Sequence, residues 1–260
     1  MPTIWHIPDD LWNEFKQVLP PEKKDGTVGR PTVPYRRVMD GILYVLRTGC
    51  QWKKIPKEEY APGSTCHRRF QEWVQKGVFQ KVWQRLLERY DEVKGIGWNW
   101  QSLDSATVKA PLGGKSTGPN PTDRSKLGTK RHTLVDRRGI PLSSVVTKAN
   151  RHDMKAAVPT LDSIVVDRPK VKQNICMDKG YDFPEIEHAV RERGYIDHIR
   201  HKGEVMNRKA HKAKRWVVER TASWHNRFRK LLVRFEKKDE NYLALEQFAN
   251  CLITYRAIHW

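Results

Sequence analysis

At about residue 96 the hydrophobic pattern of this chain changes period, and no other feature constrains its architecture as strongly. Before that point apolar side chains recur every three or four residues, the spacing of helices. Beyond it they gather in short runs rich in β-branched and aromatic residues, the mark of strands. WNWQSLDSATVKA reads as one strand, and KRHTLVDRRG and IPLSSVVTKAN read as two more joined at a tight Asp-Arg-Arg-Gly turn. Helix and strand then alternate: RHDMKAAVPTLDSI is helical, NICMDKGYD is a short apolar strand ending in charge, FPEIEHAVRERG is a helix with a glycine stop, and YIDHIRH is a strand. The last 50 residues read as two helices.

The first 90 or so residues predict a bundle of short helices. Residues 8–18 open with helix-favouring acids and stop at Pro20-Pro21. Residues 34–48 place Val38, Ile42, Val45 and Leu46 on one side, and Gly49 can end that helix. Ser64 can cap a third helix running to Gly77, and VFQKVWQRLLERY follows as a fourth. The third helix is basic and aromatic, as in a helix-turn-helix module, where one helix enters the major groove and presents Arg or Lys to base edges. His67, Arg68 and Arg69 are its candidate reading residues; Arg68 and Arg69 equally suit a solvated surface. The chain thus divides into a small all-α domain over 1–95 and an α/β domain over 96–260, a mixed sheet with flanking helices. The element order of the second part matches an RNase H-like fold, although order alone suits other α/β folds as well.

Charge narrows the function. Lys plus Arg is 49 against 30 Asp plus Glu, a net of +19. A polyanion is the natural partner, because each phosphate contact releases counterions. Residues 1–96 carry a net of +5 and residues 97–260 a net of +14. Within the latter, 109–151 holds ten basic and two acidic residues, and 200–238 holds fourteen and three. The stretch PLGGKSTGPNPTDRSKLGTKR (111–131), rich in Gly, Pro and Lys, predicts a long basic loop suited to DNA contact, or a plain connector. The candidate backbone contacts in this stretch and just before it are Lys109, Lys115, Arg124, Lys126, Lys130 and Arg131. Four scattered cysteines without a C-x-x-C pair predict neither a zinc site nor a disulfide framework. With no run of about 18 apolar residues, no membrane span is expected, and the cytoplasm, in contact with nucleic acid, is the predicted location.

Cutting a phosphodiester needs an oxygen nucleophile, a stabilised leaving oxygen and charge neutralisation at phosphorus. Two Mg²⁺ ions held about 3.5–4 Å apart by carboxylates supply these. Three acids stand out. Asp104 lies within the first strand among small and apolar residues, where an unpartnered charge is costly. Asp178 ends the apolar strand NICM and precedes Lys179-Gly180-Tyr181, whose glycine permits a sharp turn. Each also suits a strand-end or capping role. Glu219 lies in HKAKRWVVERTASWHNRFRKLLVRFE, read as one helix over 211–236. Val217, Trp224, Phe228, Leu231 and Phe235 form its apolar stripe, and Glu219 points away beside Arg215, Ser223, Asn226 and Lys230. A lone acid on a basic face fits a metal-bound edge beside DNA, and equally a solvated face in which Arg215 pairs with Glu219 four residues on. Asp136 reads as a structural turn residue, His152-Asp153 as a helix cap, and Trp216 and Trp224 as core.

The motifs resemble those of a known family. DSATVKAPLGGKSTGPNPTDRSKLGTKRHTLVDRRGIPLSSVVTKANRHDMKA looks like the core of bacterial transposases of the insertion sequence 5 family, within the broader IS4-like superfamily. MDKGYD resembles their second-aspartate motif, RWVVERTASWHNRFRKLLVRFEK their final catalytic helix, and GRPTVPYRRVMDGILYVLRTGCQWKKIP their N-terminal region. The resemblance spans nearly the whole chain. It implies an RNase H-like DDE catalytic domain with Asp104, Asp178 and Glu219 as the triad and metal ligands, two Mg²⁺ ions (Mn²⁺ as a substitute), and cleavage and strand transfer at the ends of a mobile element. It also implies double-stranded DNA partners (terminal inverted repeats and target), a homodimer or higher oligomer that joins two ends, and a nucleoid-associated location in a bacterial-type cell. One departure is visible. Related enzymes often carry Tyr, Arg, Glu and Lys on the last helix; here Arg215 and Glu219 match, while Lys212 stands at the Tyr position and Asn226 at the Lys position. Arg227 or Lys230 is left to supply that cation. Two alternatives stay open: an RNase H-like nuclease without strand transfer, and an inactive DNA-binding relic.

Overall fold

In the N-terminal part, helical periodicity and stop signals give four helices: α1 (Asp9–Val18), α2 (Tyr35–Thr48), α3 (Gly63–Gln75) and α4 (Val78–Lys94). The computed structural model describes residues 4–23, 32–199 and 216–259. Helix α2 buries Val38, Ile42, Val45 and Leu46 as its spacing predicts, and Gly49 closes it in the left-handed conformation. Ser64 does not cap α3. The helix starts at Gly63, after Pro62, and Gly63 packs against the carbonyl of Trp52 so closely that a Cβ would lie 1.8 Å from that oxygen.

The remaining elements are β1 (Trp100–Lys109), β2 (Gly118–Pro119), β3 (Leu127–Val135), β4 (Pro141–Lys148), α5 (Met154–Asp162), β5 (Gln173–Met177), α6 (Pro184–Glu192), β6 (Tyr195–Ile199), α7 (Trp216–His225) and α8 (Asp239–His259). The long strands lie in the order β4-β3-β1-β5-β6, with the two-residue β2 also paired to β3. β1, β3 and β4 are antiparallel, while β5 and β6 run parallel to β1. This is the RNase H-like sheet that the family resemblance implies, a choice that element order alone left open. The stretch 111–126 is tied down by β2 and by Lys115 N–H donating to the carbonyl of Lys237 at 2.9 Å, so it is more ordered than a plain connector.

Helices cover both faces of the sheet. Ser143 and Ser144 are neighbours in β4 and therefore face opposite sides. Ser143 donates to the carbonyl of Thr160 in α5 at 2.7 Å, whereas Ser144 accepts from Asn250 in α8 at 3.2 Å. Helix α8 is buried along most of its length because it packs against β4 on one side and against α4 on the other. A single apolar cluster accordingly runs from the N-terminal helices through α8 into the sheet.

The expected helix over 211–236 is interrupted. Helix α7 ends at His225, a short turn covers Arg229–Leu231, and Val233 then pairs with Lys109 at the end of β1. The backbone N–H of Arg234 donates to the carbonyl of Lys109 at 2.8 Å. Its buried guanidinium donates to Thr129 Oγ1 at 3.1 Å and to the carbonyls of Glu236 and Ser116 at 2.9 and 3.2 Å. These bonds outweigh local helix propensity. The apolar stripe is broken with the helix: Phe228 and Leu231 are buried, but Phe235 is exposed.

Candidate active site

Asp104 lies midway along β1, with Thr133 opposite it in β3. It therefore shares the sheet face of Thr133 and Ser144, the face covered by α8. Asp178 follows β5 directly. Ser102 and Cys176 form the last pair of the parallel ladder, so two residues further along each strand Asp104 and Asp178 emerge side by side where the strands part. Asp178 caps the turn that follows: its Oδ1 accepts from Gly180 N–H at 2.7 Å.

Glu219 is brought in by α7, which packs across β1 and β3. It is exposed, while Val217 and Val218 beside it are buried. Asp104, Ser105, Arg131, Thr133, Val218 and Glu219 are among the residues lining one cavity of about 250 Å³. None of the three carboxylates is without partners. Arg131 is 2% exposed, and its Nε and Nη1 make no hydrogen bond. Behind it, His225 Nε2 lies 2.6 Å from Asn250 Oδ1. Burial, reinforced by the charge of Arg131, pushes the His225 pKa down to about 3, so this imidazole is neutral.

Two residues near the aspartates went unnoticed or were assigned another role in the sequence. Tyr181 is fully buried and its hydroxyl makes no hydrogen bond. Burial, then the charges of Asp153, Asp104 and Asp178, raise its pKa well above the usual range and keep it protonated. Asp153 precedes α5 but does not cap it. Its Oδ1 accepts from Ser105 Oγ at 3.1 Å and from Lys130 Nζ at 2.9 Å. Only the MDKGYD motif, with its tyrosine three residues after Asp178, hints at this arrangement.

The basic candidates are distributed unevenly. Arg68 and Arg69 each donate to Glu72 at 2.7 Å, and Arg69 also lies over the Tyr35 ring. His67 stacks beside Trp52. Lys109 pairs with Asp123 at 3.5 Å and Lys115 with Asp239 at 3.2 Å. Arg124 and Lys126 are exposed in the turn before β3. Lys230 is turned inward, in a buried pair with Glu236 at 3.2 Å, while Arg227 is exposed beside a cavity that Trp224 and Arg256 also line. Arg215 lies outside the described residues. Trp216 is exposed rather than core, and with Trp224 it flanks the Arg220 guanidinium at 4.8 and 4.9 Å. Asp136 is structural, as its turn position predicts: it accepts from the N–H groups of Gly97, Arg138 and Ile140.

The oxygen donors at this site suit a hard divalent cation. As the side chains stand, no three His, Cys, Asp or Glu among the described residues are gathered closely enough to hold one. The buried, unbonded hydroxyl of Tyr181, with the charges of Asp153, Asp104 and Asp178 around it, nevertheless marks a polar centre at the end of β5 whose oxygen donors fit such a cation.

Residues 101–252 match the family model described as transposase DDE domain, and residues 7–83 match that described as putative transposase of IS4/5 family. A putative transposase for insertion sequence element IS402 of Burkholderia cepacia is 35% identical over 155 residues, 56% of this chain and 72% of the relative. An IS402 16.2 kDa protein of the same organism is 33% identical over 118 residues, 44% of this chain and 80% of the relative. Among solved structures, the Mos1 strand transfer complex matches with a TM-score of 0.36 and 11% identity, over 91% of this chain and 77% of that one. No helix among the described residues is long and apolar enough to cross a membrane. From the two family models and the IS402 relative, the chain belongs to the IS4/5-type DDE transposases, enzymes that act on DNA.

Proposed function

We propose that Asp104, Asp178 and Glu219 form the catalytic triad, and that together they hold two Mg²⁺ ions, with Mn²⁺ as a working substitute. The observation that carries this reading is the convergence of Asp104 and Glu219 on one cavity, with Asp178 beside Asp104 where β1 and β5 part. Bound divalent cations would neutralise charge at the scissile phosphate and favour formation of an oxygen nucleophile. The protein's own residues position and exclude. Strands β1 and β5 hold the aspartates on rigid backbone, and α7 carries Glu219 across from them. Neutral His225 packs behind Arg131, which adds positive charge at the cavity wall. In the reaction, water hydrolyses the phosphodiester at an element end, and the freed 3′-hydroxyl then attacks target DNA.

Residues 1–95 recognise the terminal inverted repeats through α3, with Arg68 and Arg69 at the DNA, and residues 96–260 perform the chemistry. Lys109, Lys115, Arg124, Lys126 and Arg227 grip the backbone, with Lys130, Arg131, Arg215 and Lys230 belonging to the same basic tracts of the sequence. Two copies of the chain, or more, bring two ends together in a bacterial cytoplasm, at the nucleoid. The test is a joining assay with the element's own ends, a target plasmid and Mg²⁺. Wild type cleaves and joins, and Asp178→Ala does neither. Cleavage without joining would instead indicate a nuclease, and equal joining by the two proteins would overturn the triad.

A further inference from the structure

Beyond the triad, one more acid stands at the point where β1 and β5 part. Asp153 approaches from the α5 side of the sheet, beside Ser105, which lies opposite His132 on that face. Its Oδ1 is held by Ser105 and by Lys130, whose ammonium also donates to the carbonyl of Arg151 at 3.0 Å. Its Oδ2 is turned toward Gly180. A Cβ on that glycine would lie 3.5 Å from Asp153 Oδ2 and 2.9 Å from Asp178 Oδ1. Both carboxylates thus come within contact of the space that a side chain on Gly180 would enter. Tyr181 supplies a second, independent observation: a fully buried hydroxyl without a hydrogen bond, in the field of Asp153, Asp104 and Asp178.

We propose that Asp153 is a fourth carboxylate of the metal site, and that Lys130 neutralises it until a divalent cation binds. The inference rests on the triad reading given above. Its physical basis is charge. Acids converging on one buried phenol repel one another, and among the described residues Lys130 is the cation in direct contact with Asp153 that offsets this repulsion. A helix-capping role gives no reason for the carboxylate to leave the α5 N-terminus and turn to the strand end. Ligation does, because Mg²⁺ and Mn²⁺ take oxygen donors and accept carboxylates from several elements. It also gives Gly180 a purpose, since a side chain there would crowd both Asp178 and Asp153.

The test measures Mn²⁺ affinity of the full chain without DNA by electron paramagnetic resonance, alongside thermal unfolding without metal. Asp178→Ala is the control for the triad. Asp153→Asn should weaken Mn²⁺ binding about tenfold, as loss of a supporting or ligating oxygen does at metal sites. Lys130→Met should strengthen it severalfold, because the competing ammonium is gone, even if unfolding occurs at lower temperature. If Asp153→Asn folds and binds Mn²⁺ like wild type while Asp178→Ala does not, Asp153 is a structural partner of Lys130 and the inference fails. If Asp153→Asn does not fold, Lys130→Met decides alone: tighter binding supports the inference, and unchanged or weaker binding overturns it. If Asp178→Ala also binds like wild type, the triad reading fails with it.

Discussion

The hydroxyl of Thr221 donates to the carbonyl oxygen of Gly139 at 2.6 Å, tying the helix that carries Glu219 to the turn between β3 and β4. Gly139 has a φ of +82°, and a Cβ there would lie 2.8 Å from the same hydroxyl oxygen. Both features are needed for α7 to lie so close to the sheet. Thr221→Val keeps the shape but leaves a buried carbonyl without its donor. We expect it to cost about 1–3 kcal/mol in urea unfolding. DNA cleavage should fall further than the loss of folded protein explains, because the position of Glu219 depends on this bond.

Gly180→Ala separates site from fold. The φ of Gly180 is not in the left-handed region, so alanine is compatible with the backbone. The new methyl meets the Asp178 carboxylate, which can rotate away. Melting temperature should change little, whereas metal-dependent cleavage should drop at least about tenfold, on the scale of disturbing a ligand's support. A variant as active as wild type would show that the Asp178 geometry is not critical.

Arg234 is a fully buried cation, and its bonds join the 115–116 backbone, Thr129 and the 236–237 backbone. Arg234→Met strips donors from several buried oxygens at once. We expect a loss of about 3 kcal/mol or more in denaturant unfolding. Arg234→Lys should recover only part of it, since an ammonium cannot reproduce the planar fork.

Acid should destabilise the protein through two histidines. His132 and His225 are buried, and desolvation pushes their pKa values down to about 4 and about 3. In the unfolded chain both protonate near 6.5. The unfolded state therefore binds more protons between these values, so the neutral histidines' contribution is fully present above about pH 6.5 and is lost as pH falls toward 4 and then 3. Each should add a slope of up to about 1.4 kcal/mol per pH unit in that window. Urea midpoints at pH 7, 5.5 and 4.5 check this. A flat profile would contradict the buried, neutral assignment.

Arg124 and Lys126 are exposed in the turn before β3. If they contact phosphate, Arg124→Ala and Lys126→Ala should each weaken DNA binding across sequences and reduce the slope of log K against log salt by about 0.9. Fluorescence anisotropy over a salt series measures both. Unchanged slopes would remove them from the interface.

Local pattern was enough to predict most elements of this protein. The stripe of α2, the β3–β4 turn, the glycine stops and the order of elements along the chain are all set by side-chain period and by residues with narrow backbone preferences. The motifs around Asp104, Asp178 and Glu219 carried the family, because each lies on a short contiguous segment. What only the tertiary structure decided depends on contacts between segments far apart. The segment after His225 leaves the helix because Lys109, Thr129 and Ser116 offer buried oxygens to the Arg234 region, which no helical period records. Lys230 turns inward because Glu236 waits there at low exposure. Asp153 reads as a helix cap in sequence, since capping is a local bond, yet its partners Ser105 and Lys130 lie 48 and 23 residues away. Charge and period determined what kind of protein this is, and long-range packing decided which of its charged groups meet.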